Sequence, residues 1–349
     1  MPKKKVKVFV AMSGGVDSSV AAALLKKSDF DVVGVYMKCW TANDPLYQGC
    51  TSQDDERSAR LAASHLDIPF YTWNFIKEYR ERVVEYLING YKKGITPNPD
   101  IMCNKEIKFG LFFEKATKLG ADFVATGHYA RIQEGKLLQA VDKNKDQSYF
   151  LSFIKPGVLS KVLFPIGNYA KPEVRALAKK FGLPNAERKE SQGICFIGKL
   201  DFTDFLKQHI PLKSGNIIDT KGTVLGKHQG LVLYTIGQRK EIRLSGGPWY
   251  VVEKNYKTNT LAVSKDEKEL GKKEATVTNM NWLSDISSEE SQKVDVKIRY
   301  RTSSVPANLY KLKTKNYKLV FEKPQRAVTP GQFAVLYKGE QLLGGGVIE

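Results

Sequence analysis

The stretch Ala11-Met-Ser-Gly-Gly-Val-Asp-Ser-Ser-Val20 joins two apolar segments of different character. The residues before it, from Val6 to Val10, are typical of a short buried strand, and Ala21 to Leu25 after it are typical of a helix. The two glycines lack side chains, so that backbone N–H groups can approach an anion closely. The helix start adds unpaired N–H donors and the positive end of the peptide dipole, and the serines add hydroxyl donors. This composition predicts a phosphate-binding turn.

A tight strand-to-helix turn of small residues is the alternative explanation of the two glycines alone. A Walker loop is excluded, because no Gly-Lys-Ser or Gly-Lys-Thr follows them. The full string from Ser13 to Ser19 resembles the pyrophosphatase loop of the ATP-pyrophosphatase superfamily, in which the loop holds ATP and the products are AMP and pyrophosphate. This resemblance and the predicted strand ends give the expected nucleotide-binding residues: Ala11, Met12, Ser13, Gly14, Gly15, Val16, Asp17, Ser18, Ser19, Met37 and Gly127.

Magnesium is expected on the ATP polyphosphate, and Asp17 is a candidate ligand of that ion. A helix-capping role for the Asp17 carboxylate is equally compatible with its position at the start of the predicted helix.

The composition favours a polyanionic partner. The chain of 349 residues has 55 basic and 37 acidic side chains, a formal charge of +18, which suits a nucleic acid or an acidic membrane. Generic lysine-rich basicity is the alternative. No segment is long enough for a transmembrane helix, and the N-terminal apolar run is too short for a signal peptide. We therefore expect a cytoplasmic protein with no membrane partner.

The pattern of apolar residues along the chain changes near Pro211. Before it, apolar strand-like runs alternate with amphipathic helix-like segments, which predicts a doubly wound α/β domain with a parallel sheet. After it, short alternating runs with frequent glycine predict two small β domains, the last barrel-like. The expected domains are a catalytic domain over 1–210, a central β domain over 211–272 and a C-terminal β barrel over 273–349.

The four cysteines, Cys39, Cys50, Cys103 and Cys195, form no Cys-x-x-Cys pair, so a zinc ribbon has little support. Asn104 is expected to start a helix, which would place Cys103 near a helix N-terminus, where the dipole favours the thiolate. Asp100 is close enough in sequence to relay a proton. A buried apolar thiol is the alternative for Cys103, and a strand residue is the alternative for Cys195.

Five motifs occur together in one order. They are Ser-Gly-Gly-Val-Asp-Ser-Ser, Asn98-Pro-Asp-x-x-Cys-Asn104, Thr126-Gly-His-Tyr129, Lys145-Asp-Gln-Ser-Tyr-Phe-Leu151 and Gly193-Ile-Cys-Phe-Ile-Gly198. With them, the chain resembles the tRNA-specific 2-thiouridylases of the MnmA type over nearly its whole length. That resemblance implies ATP-dependent replacement of the C2 oxygen of the tRNA wobble uridine by sulfur, through an adenylated uridine.

The resemblance also implies roles for three side chains. Cys195 matches the residue that receives sulfur as a persulfide, Cys103 matches the nucleophile, and Asp100 matches the proposed general acid/base. Either the Cys195 persulfide attacks the activated carbon directly, or Cys103 attacks the persulfide and frees hydrosulfide. Both routes leave a Cys103–Cys195 disulfide that must be reduced. The sulfur comes from a donor protein, which is a relay protein or a cysteine desulfurase.

Similar matching predicts contacts to tRNA, with the two β domains as clamps on the tRNA body. A strand-end role satisfied by the backbone is the alternative for His128, and a solvated strand face is the alternative for Tyr300 and Arg301. The expected contacts are Asn98, Pro99, Asp100, His128, Lys145, Asp146, Gln147, Tyr300, Arg301 and Gln332.

Two other functions fit part of the sequence. Another ATP-pyrophosphatase ligase, such as an amidotransferase or a lysidine-forming enzyme, needs the loop and not the two cysteines. A nucleotide-regulated RNA-binding protein fits the charge of +18 and the β domains.

Overall fold

The structure is a computed structural model that describes residues 5–41, 52–189, 202–284 and 291–349. Cys195, its motif and Cys50 lie outside the described residues.

The first sheet has five parallel strands in the order β3-β2-β1-β4-β7. Their bounds are β1 Lys7–Ala11, β2 Asp31–Lys38, β3 Phe70–Asn74, β4 Phe123–Thr126 and β7 Val162–Leu163. Val8 and Val10 of β1 pack in a core with the helices over 16–27 and 52–65. Phe9 and Ala11 point to the other face and pack in a core with the helical segments over 76–92 and 99–118. Because both faces are covered, the prediction of a doubly wound parallel sheet is confirmed.

The helices that cover the sheet agree with the sequence periodicity in their number and approximate positions. Two of them continue through π-helical segments, Arg80–Val84 between α3 and α4 and Cys103–Phe112 between α5 and α6. The helix bounds are α1 Val16–Lys27, α2 Ser52–His65, α3 Ile76–Tyr79, α4 Glu85–Lys92, α5 Pro99–Met102, α6 Phe113–Lys118, α7 Lys171–Lys180 and α8 Phe202–His209. Short 3-10 turns occupy Ser148–Leu151, Pro156–Lys161, Leu231–Leu233 and Glu267–Leu270.

The two β regions that follow are separate sheets. A four-stranded sheet has the order β10-β11-β8-β9, and a second sheet closes on itself in the order β12-β15-β14-β13-β16-β17-β12. The expected barrel-like end of the chain is therefore confirmed as a closed barrel of six strands. The bounds are β8 Gly215–Asp219, β9 Val224–His228, β10 Tyr250–Asn255, β11 Thr260–Ser264, β12 Gly271–Trp282, β13 Ser291–Lys297, β14 Val305–Lys311, β15 Tyr317–Arg326, β16 Phe333–Lys338 and β17 Gln341–Ile348.

A hairpin of the first region extends the barrel sheet. Strands β5 (Ala130–Gln133) and β6 (Lys136–Gln139) form a hairpin around Glu134-Gly135, and Leu138 pairs with Gln341 of β17. The alternation of residues from Val294 to Arg301 predicts a strand over that range, but β13 ends at Lys297. No helix in the described parts of the chain is both long enough and apolar enough to cross a membrane.

A buried ion pair ties the first region to the barrel. The Asp146 side chain is 2% exposed, and its Oδ2 lies 3.1 Å from Nζ of Lys297, on β13, whose side chain is 13% exposed. Asp146 also accepts hydrogen bonds from the Ala140 and Ser148 backbone N–H groups. Although sequence matching predicts a tRNA contact for Asp146, its carboxylate is engaged inside the protein.

Replacing Lys297 by Met should destabilise the protein by about 3 kcal/mol, because it leaves the buried Asp146 carboxylate without its cation. Urea unfolding followed by circular dichroism measures the effect. The matched control is Lys318→Met, which removes an exposed partner of Glu274 on the same barrel and should cost less than about 1 kcal/mol. Equal effects of the two substitutions would contradict this role of the buried pair.

Candidate active site

Other parts of the chain approach the backbone of the turn between β1 and α1 unusually closely. Gly14 has φ +81°, and a side-chain carbon there would lie 2.2 Å from the Asp55 carbonyl oxygen. Gly15 precedes α1 and has no side chain to cap its first turn. The N–H groups of that turn therefore point to where an anion can bind.

The Gly14 carbonyl is held by three side chains from other elements. The Ser58 hydroxyl donates to it at 2.7 Å, the Asn185 amide at 2.9 Å and the Arg188 guanidinium at 3.1 Å. Arg188 also pairs with the Asp55 carboxylate at 2.5 Å. Sequence reasoning missed these supporting residues, since no spacing pattern links them to the turn.

Asp17 lies in the first turn of α1 but does not cap it. Its carboxylate accepts hydrogen bonds from Nζ of Lys171 at 2.7 and 2.9 Å and from the Tyr129 hydroxyl at 3.0 Å. Lys171 is the first residue of α7, so this network ties α7 to the turn.

The turn offers little to hold a metal ion by itself. Within the described ranges, no three His, Cys, Asp or Glu side chains lie together in a metal-binding cluster. The one carboxylate of the turn, Asp17, is already neutralised by Lys171. The residues therefore suit a magnesium ion that arrives on a polyphosphate, with serine hydroxyls beside it, and not an ion held in a protein cage.

The two further expected nucleotide residues lie at carboxyl ends of strands, as the sequence predicts. Met37 is the penultimate residue of β2 and is 3% exposed. Gly127 directly follows β4 and packs against the start of α1, where a side-chain carbon on it would lie 2.6 Å from the Ser18 amide nitrogen.

Gly14→Ala should weaken ATP binding by at least about tenfold, because the positive φ and the Asp55 carbonyl both oppose a side chain. Isothermal titration with ATP measures the effect. Gly135→Ala is the matched control: its φ is +74° and nothing lies within 4 Å, so it should cost stability of about 1 kcal/mol and leave ATP affinity unchanged. An unchanged affinity in Gly14→Ala would count against this turn as the nucleotide site.

Cys103 does not lie at a helix N-terminus, which corrects the expectation that Asn104 starts the helix. The helix begins at Pro99, and the Asn98 side chain caps it by accepting from the Asp100 and Ile101 N–H groups at 3.1 Å. Asn before Pro is a typical start signal, since proline suits the first helical position. Cys103 is therefore in the second turn, where the dipole effect on a thiol is weaker.

Cys103 is fully buried, at 0% exposure, and begins the π-helical segment. Its neighbour Asn104 is 3% exposed and donates from its amide to the Asp100 carbonyl at 2.9 Å. This bond joins the residue after the cysteine to the residue that sequence matching predicts as general acid/base. π-Helical turns are uncommon and often lie at functional sites.

His128 connects the β4 end to the helix of Cys103. Its Nδ1 lies 2.7 Å from the Thr126 hydroxyl and its Nε2 lies 3.4 Å from Nζ of Lys108, within the π-helical segment. The His128 side chain is buried, so in this arrangement it faces protein groups. Burial, and then the Lys108 ammonium, lower the pKa of His128 well below its usual value, so the ring is neutral at pH 7.

The buried neutral His128 should make the protein less stable as the pH falls below about 6.5. In that range the unfolded chain binds a proton that the folded chain does not, so stability falls by up to about 1.4 kcal/mol per pH unit. His128→Gln should flatten this slope between about pH 6.5 and 5, measured by urea unfolding at each pH. His65→Gln, at an exposed histidine, is the matched control. An unaltered slope in His128→Gln would contradict the assignment.

Four further expected tRNA contacts, Lys145, Gln147, Tyr300 and Arg301, are half-buried or exposed. Lys145 is half-buried, and Gln147 exchanges hydrogen bonds with the Tyr129 backbone, accepting at 3.0 Å from its N–H and donating at 2.8 Å to its carbonyl. Tyr300 packs against Phe150 with ring centroids 4.3 Å apart, and the exposed Arg301 lies over the Tyr300 ring.

Four expected contacts, Asn98, Pro99, Asp100 and Gln332, cluster at the start of the Cys103 helix. Asn98 and Pro99 begin it, and the Gln332 amide donates to the Thr96 carbonyl two residues earlier, at 2.8 Å. The structure thus brings Asn98, Pro99, Asp100, Cys103 and Gln332 into one region. At the end of β4, Gly127 contacts the turn that contains Ser13 to Ser19, whereas His128 contacts Lys108 of the Cys103 helix.

Three family models match the chain in succession. The tRNA methyl transferase HUP domain matches residues 6–199, the tRNA methyl transferase PRC-barrel domain matches residues 203–265, and the aminomethyltransferase beta-barrel domain matches residues 272–348.

Curated relatives align over almost their full length. The tRNA-specific 2-thiouridylase MnmA of Alkaliphilus oremlandii is 45% identical and covers 99% of this chain and 98% of its own. The corresponding protein of Pseudomonas paraeruginosa is 44% identical, with 99% of this chain and 95% of its own covered. One similar solved structure is a 4-thiouridine synthetase–RNA complex with bound ATP. The match covers 59% of this chain and 50% of that chain, with 18% sequence identity and a TM-score of 0.36.

Proposed function

The chain belongs to the family of tRNA-specific 2-thiouridylases, and from that membership we propose that it is a tRNA-uridine 2-sulfurtransferase. In this proposal it uses ATP to activate C2 of the wobble uridine and replaces the oxygen there by sulfur. The products besides 2-thiouridine are AMP and pyrophosphate.

One observation carries the proposal: a single strand end contacts both the phosphate-binding turn and the helix of Cys103. Gly127 packs on the first turn of α1, and the next residue, His128, lies 3.4 Å from Lys108 of the cysteine helix. A site that joins an activated uridine to a sulfur nucleophile needs the nucleotide and the thiol close together. The arrangement meets that need.

The turn is suited to the activation step. The uracil C2 carbonyl is a poor electrophile, and attack of its oxygen on the α-phosphorus makes AMP the leaving group and expels pyrophosphate. N–H groups of the first turn of α1 and the serine hydroxyls would stabilise the polyphosphate charge. Magnesium bound to ATP would neutralise part of that charge, with Asp17 beside it. His128 stays neutral in this environment, and Asp100 is proposed as the proton-transfer group.

The sulfur step involves Cys195 and Cys103. A persulfide on Cys195, loaded by a donor protein, attacks C2 itself in one route, after which Cys103 attacks Sγ of Cys195, breaks the sulfur–sulfur bond and frees the 2-thiouridine. In the other route Cys103 attacks Sγ of Cys195 first, and the hydrosulfide that is released attacks C2. In either route AMP leaves with the original oxygen, and the two cysteines end as a disulfide. A dithiol must then reduce this disulfide before another turnover.

The charge of +18 suits a tRNA substrate, whose phosphates would bind the two β regions in a salt-dependent way. The proposed contacts are those predicted by sequence matching, except for His128, Asp146 and Gln332. These three side chains bind groups inside the protein, and their proposed role is to position neighbouring residues. The wobble base must leave its stack to reach the site, which costs less in a single-stranded loop. A tRNA substrate supports the proposal that the protein acts in the cytoplasm.

Cys103→Ser and Cys195→Ser should each lower 2-thiouridine formation by about 1000-fold or more, because serine supplies neither a thiolate nor a persulfide. Both variants should retain tRNA-dependent pyrophosphate release from ATP. The assay incubates tRNA, ATP, a dithiol reductant and a cysteine desulfurase with labelled cysteine as the persulfide donor, then measures 2-thiouridine in the nuclease digest and pyrophosphate in parallel.

Cys39→Ala is the matched control, since Cys39 is also buried and has no role in the proposed reaction. Retained tRNA-dependent pyrophosphate release in a double Cys103/Cys195 serine variant, with no 2-thiouridine formed by the wild type, would favour another ATP-pyrophosphatase ligase, which does not need the two cysteines. The absence of any tRNA-dependent pyrophosphate release from the wild type would favour a binding protein without chemistry.

A further inference from the structure

The turn Pro330-Gly331-Gln332, between β15 and β16 of the barrel, binds both backbone groups of Thr96. The Thr96 N–H donates to the Pro330 carbonyl at 2.9 Å, and the Gln332 amide donates to the Thr96 carbonyl at 2.8 Å. Thr96 lies three residues before the helix that carries Cys103. The barrel thus holds the chain just upstream of the expected nucleophile.

The contact depends on close backbone approach. Gly331 has φ +87°, and a side-chain carbon on it would lie 2.8 Å from Cβ of Ile95 and 2.9 Å from the Thr96 nitrogen. The turn is fixed to the barrel as well, since the Gly331 N–H donates to the Ile348 carbonyl and the Ile348 N–H donates to the Gln332 carbonyl, each at 2.8 Å. The surface that meets Thr96 is therefore part of the closed sheet and not a loose loop.

The opposite side of the same segment is held by α4. The Ile95 N–H donates to the Gly90 carbonyl at 3.1 Å, and a side-chain carbon on Gly90 would lie 2.6 Å from Cγ of Pro97. Residues 95–97 are consequently clamped between the last turns of α4 and the barrel turn.

Few freely rotating backbone angles lie between the clamped residues 95–97 and Cys103. Pro97 and Pro99 have restricted φ angles, and Asn98 between them caps the helix by two hydrogen bonds. Cys103 follows in the second turn, with 0% exposure. A shift of Thr96 therefore carries over to the position of Cys103.

The central β region is tied to the same turn. The Arg299 guanidinium donates to the Ile236 carbonyl at 3.0 Å, to the Ala327 carbonyl at 3.0 Å and to the Thr329 hydroxyl at 2.9 Å. The central β region, the other proposed clamp on tRNA, is thereby linked through the barrel turn to the segment that leads to the cysteine.

We propose that Gln332 is a positioning residue for Cys103, and that the barrel turn couples the placement of the β regions on tRNA to the geometry of the cysteine. This inference rests on the proposed thiolation. It assigns the Gln332 amide to an internal bond with Thr96 in place of the direct tRNA contact that sequence matching predicts.

The test compares Gln332→Met with Gln325→Met. Methionine keeps the length of the side chain and removes the donor, and Gln325 likewise donates from its amide to a backbone carbonyl at 2.8 Å, that of Lys323 on its own strand. We expect Gln332→Met to raise the rate of Cys103 alkylation by iodoacetamide about fivefold in the tRNA-free protein, the factor expected for loss of one hydrogen bond. Cys39, buried in the same core, is the internal reference in the peptide mass spectrum.

In the same variant the single-turnover thiolation rate at saturating tRNA should fall about tenfold, because a small displacement of a reacting group is costly. The Kd for tRNA should stay within about twofold of the wild type, since phosphate contacts dominate that affinity. Gln325→Met should match the wild type in every measurement. Gln332→Glu, which faces the Thr96 carbonyl with an acceptor, should lower the rate at least as much as Gln332→Met.

A weaker Kd with unchanged Cys103 alkylation and an unchanged saturating rate would overturn the proposal and make Gln332 an RNA contact. Unchanged values throughout, or equal acceleration at Cys39 and Cys103, would also overturn it. The proposed function fails separately, if the wild type itself forms no 2-thiouridine, and the alkylation measurement remains decisive in that case.

Discussion

Gly127 and the first turn of α1 approach each other so closely that no side chain fits between them, and both halves of the candidate site depend on this contact. A side-chain carbon at Gly127 would lie 2.6 Å from the Ser18 nitrogen. The strand end therefore presses directly on the turn that is suited to phosphate. The next residue, His128, faces the other way, toward Lys108 on the helix of Cys103. A one-residue step along the chain thus separates the proposed activation chemistry from the proposed sulfur chemistry.

Charged side chains of the sequence motifs are paired inside the protein, Asp146 fully buried and Asp17 half-buried. Asp17 is bound by Lys171 and Tyr129, and Asp146 is bound by Lys297. Such groups lose their hydration when buried, so each needs an internal partner. Charged residues of the motifs thereby hold elements together, and surface contact with RNA is left to other side chains.

The barrel is joined to the first region at several points. The Tyr149 hydroxyl donates to the Phe333 carbonyl at 3.1 Å, and the Asn281 amide donates to the carbonyls of Ser152 and Ile154 at 2.9 Å. The β5–β6 hairpin also pairs with β17, so the barrel packs directly against the first region, which contains the candidate site. An RNA that displaces the barrel would therefore also act on the segment held by Gln332.

The sequence by itself determined the α/β sheet, the two β regions, the barrel-like end and the strand–turn–helix unit that contains Ser13 to Ser19. Each depends on local information: the period of apolar residues selects strand or helix, and glycines with serines before a helix make an anion site. The helix start at Pro99 was predicted wrongly, at Asn104, although Asn98 and Pro99 form a cap signal. Which side chains bind nucleotide or tRNA remains a prediction.

The tertiary structure alone decided which distant residues meet. Asn185 and Arg188 reach the Gly14 carbonyl, and Gln332 reaches Thr96 across 236 positions of the chain. No periodicity encodes these pairs, because they arise from how sheets and helices pack after each has formed. The site is therefore local in its chemical groups and non-local in the contacts that hold those groups in place.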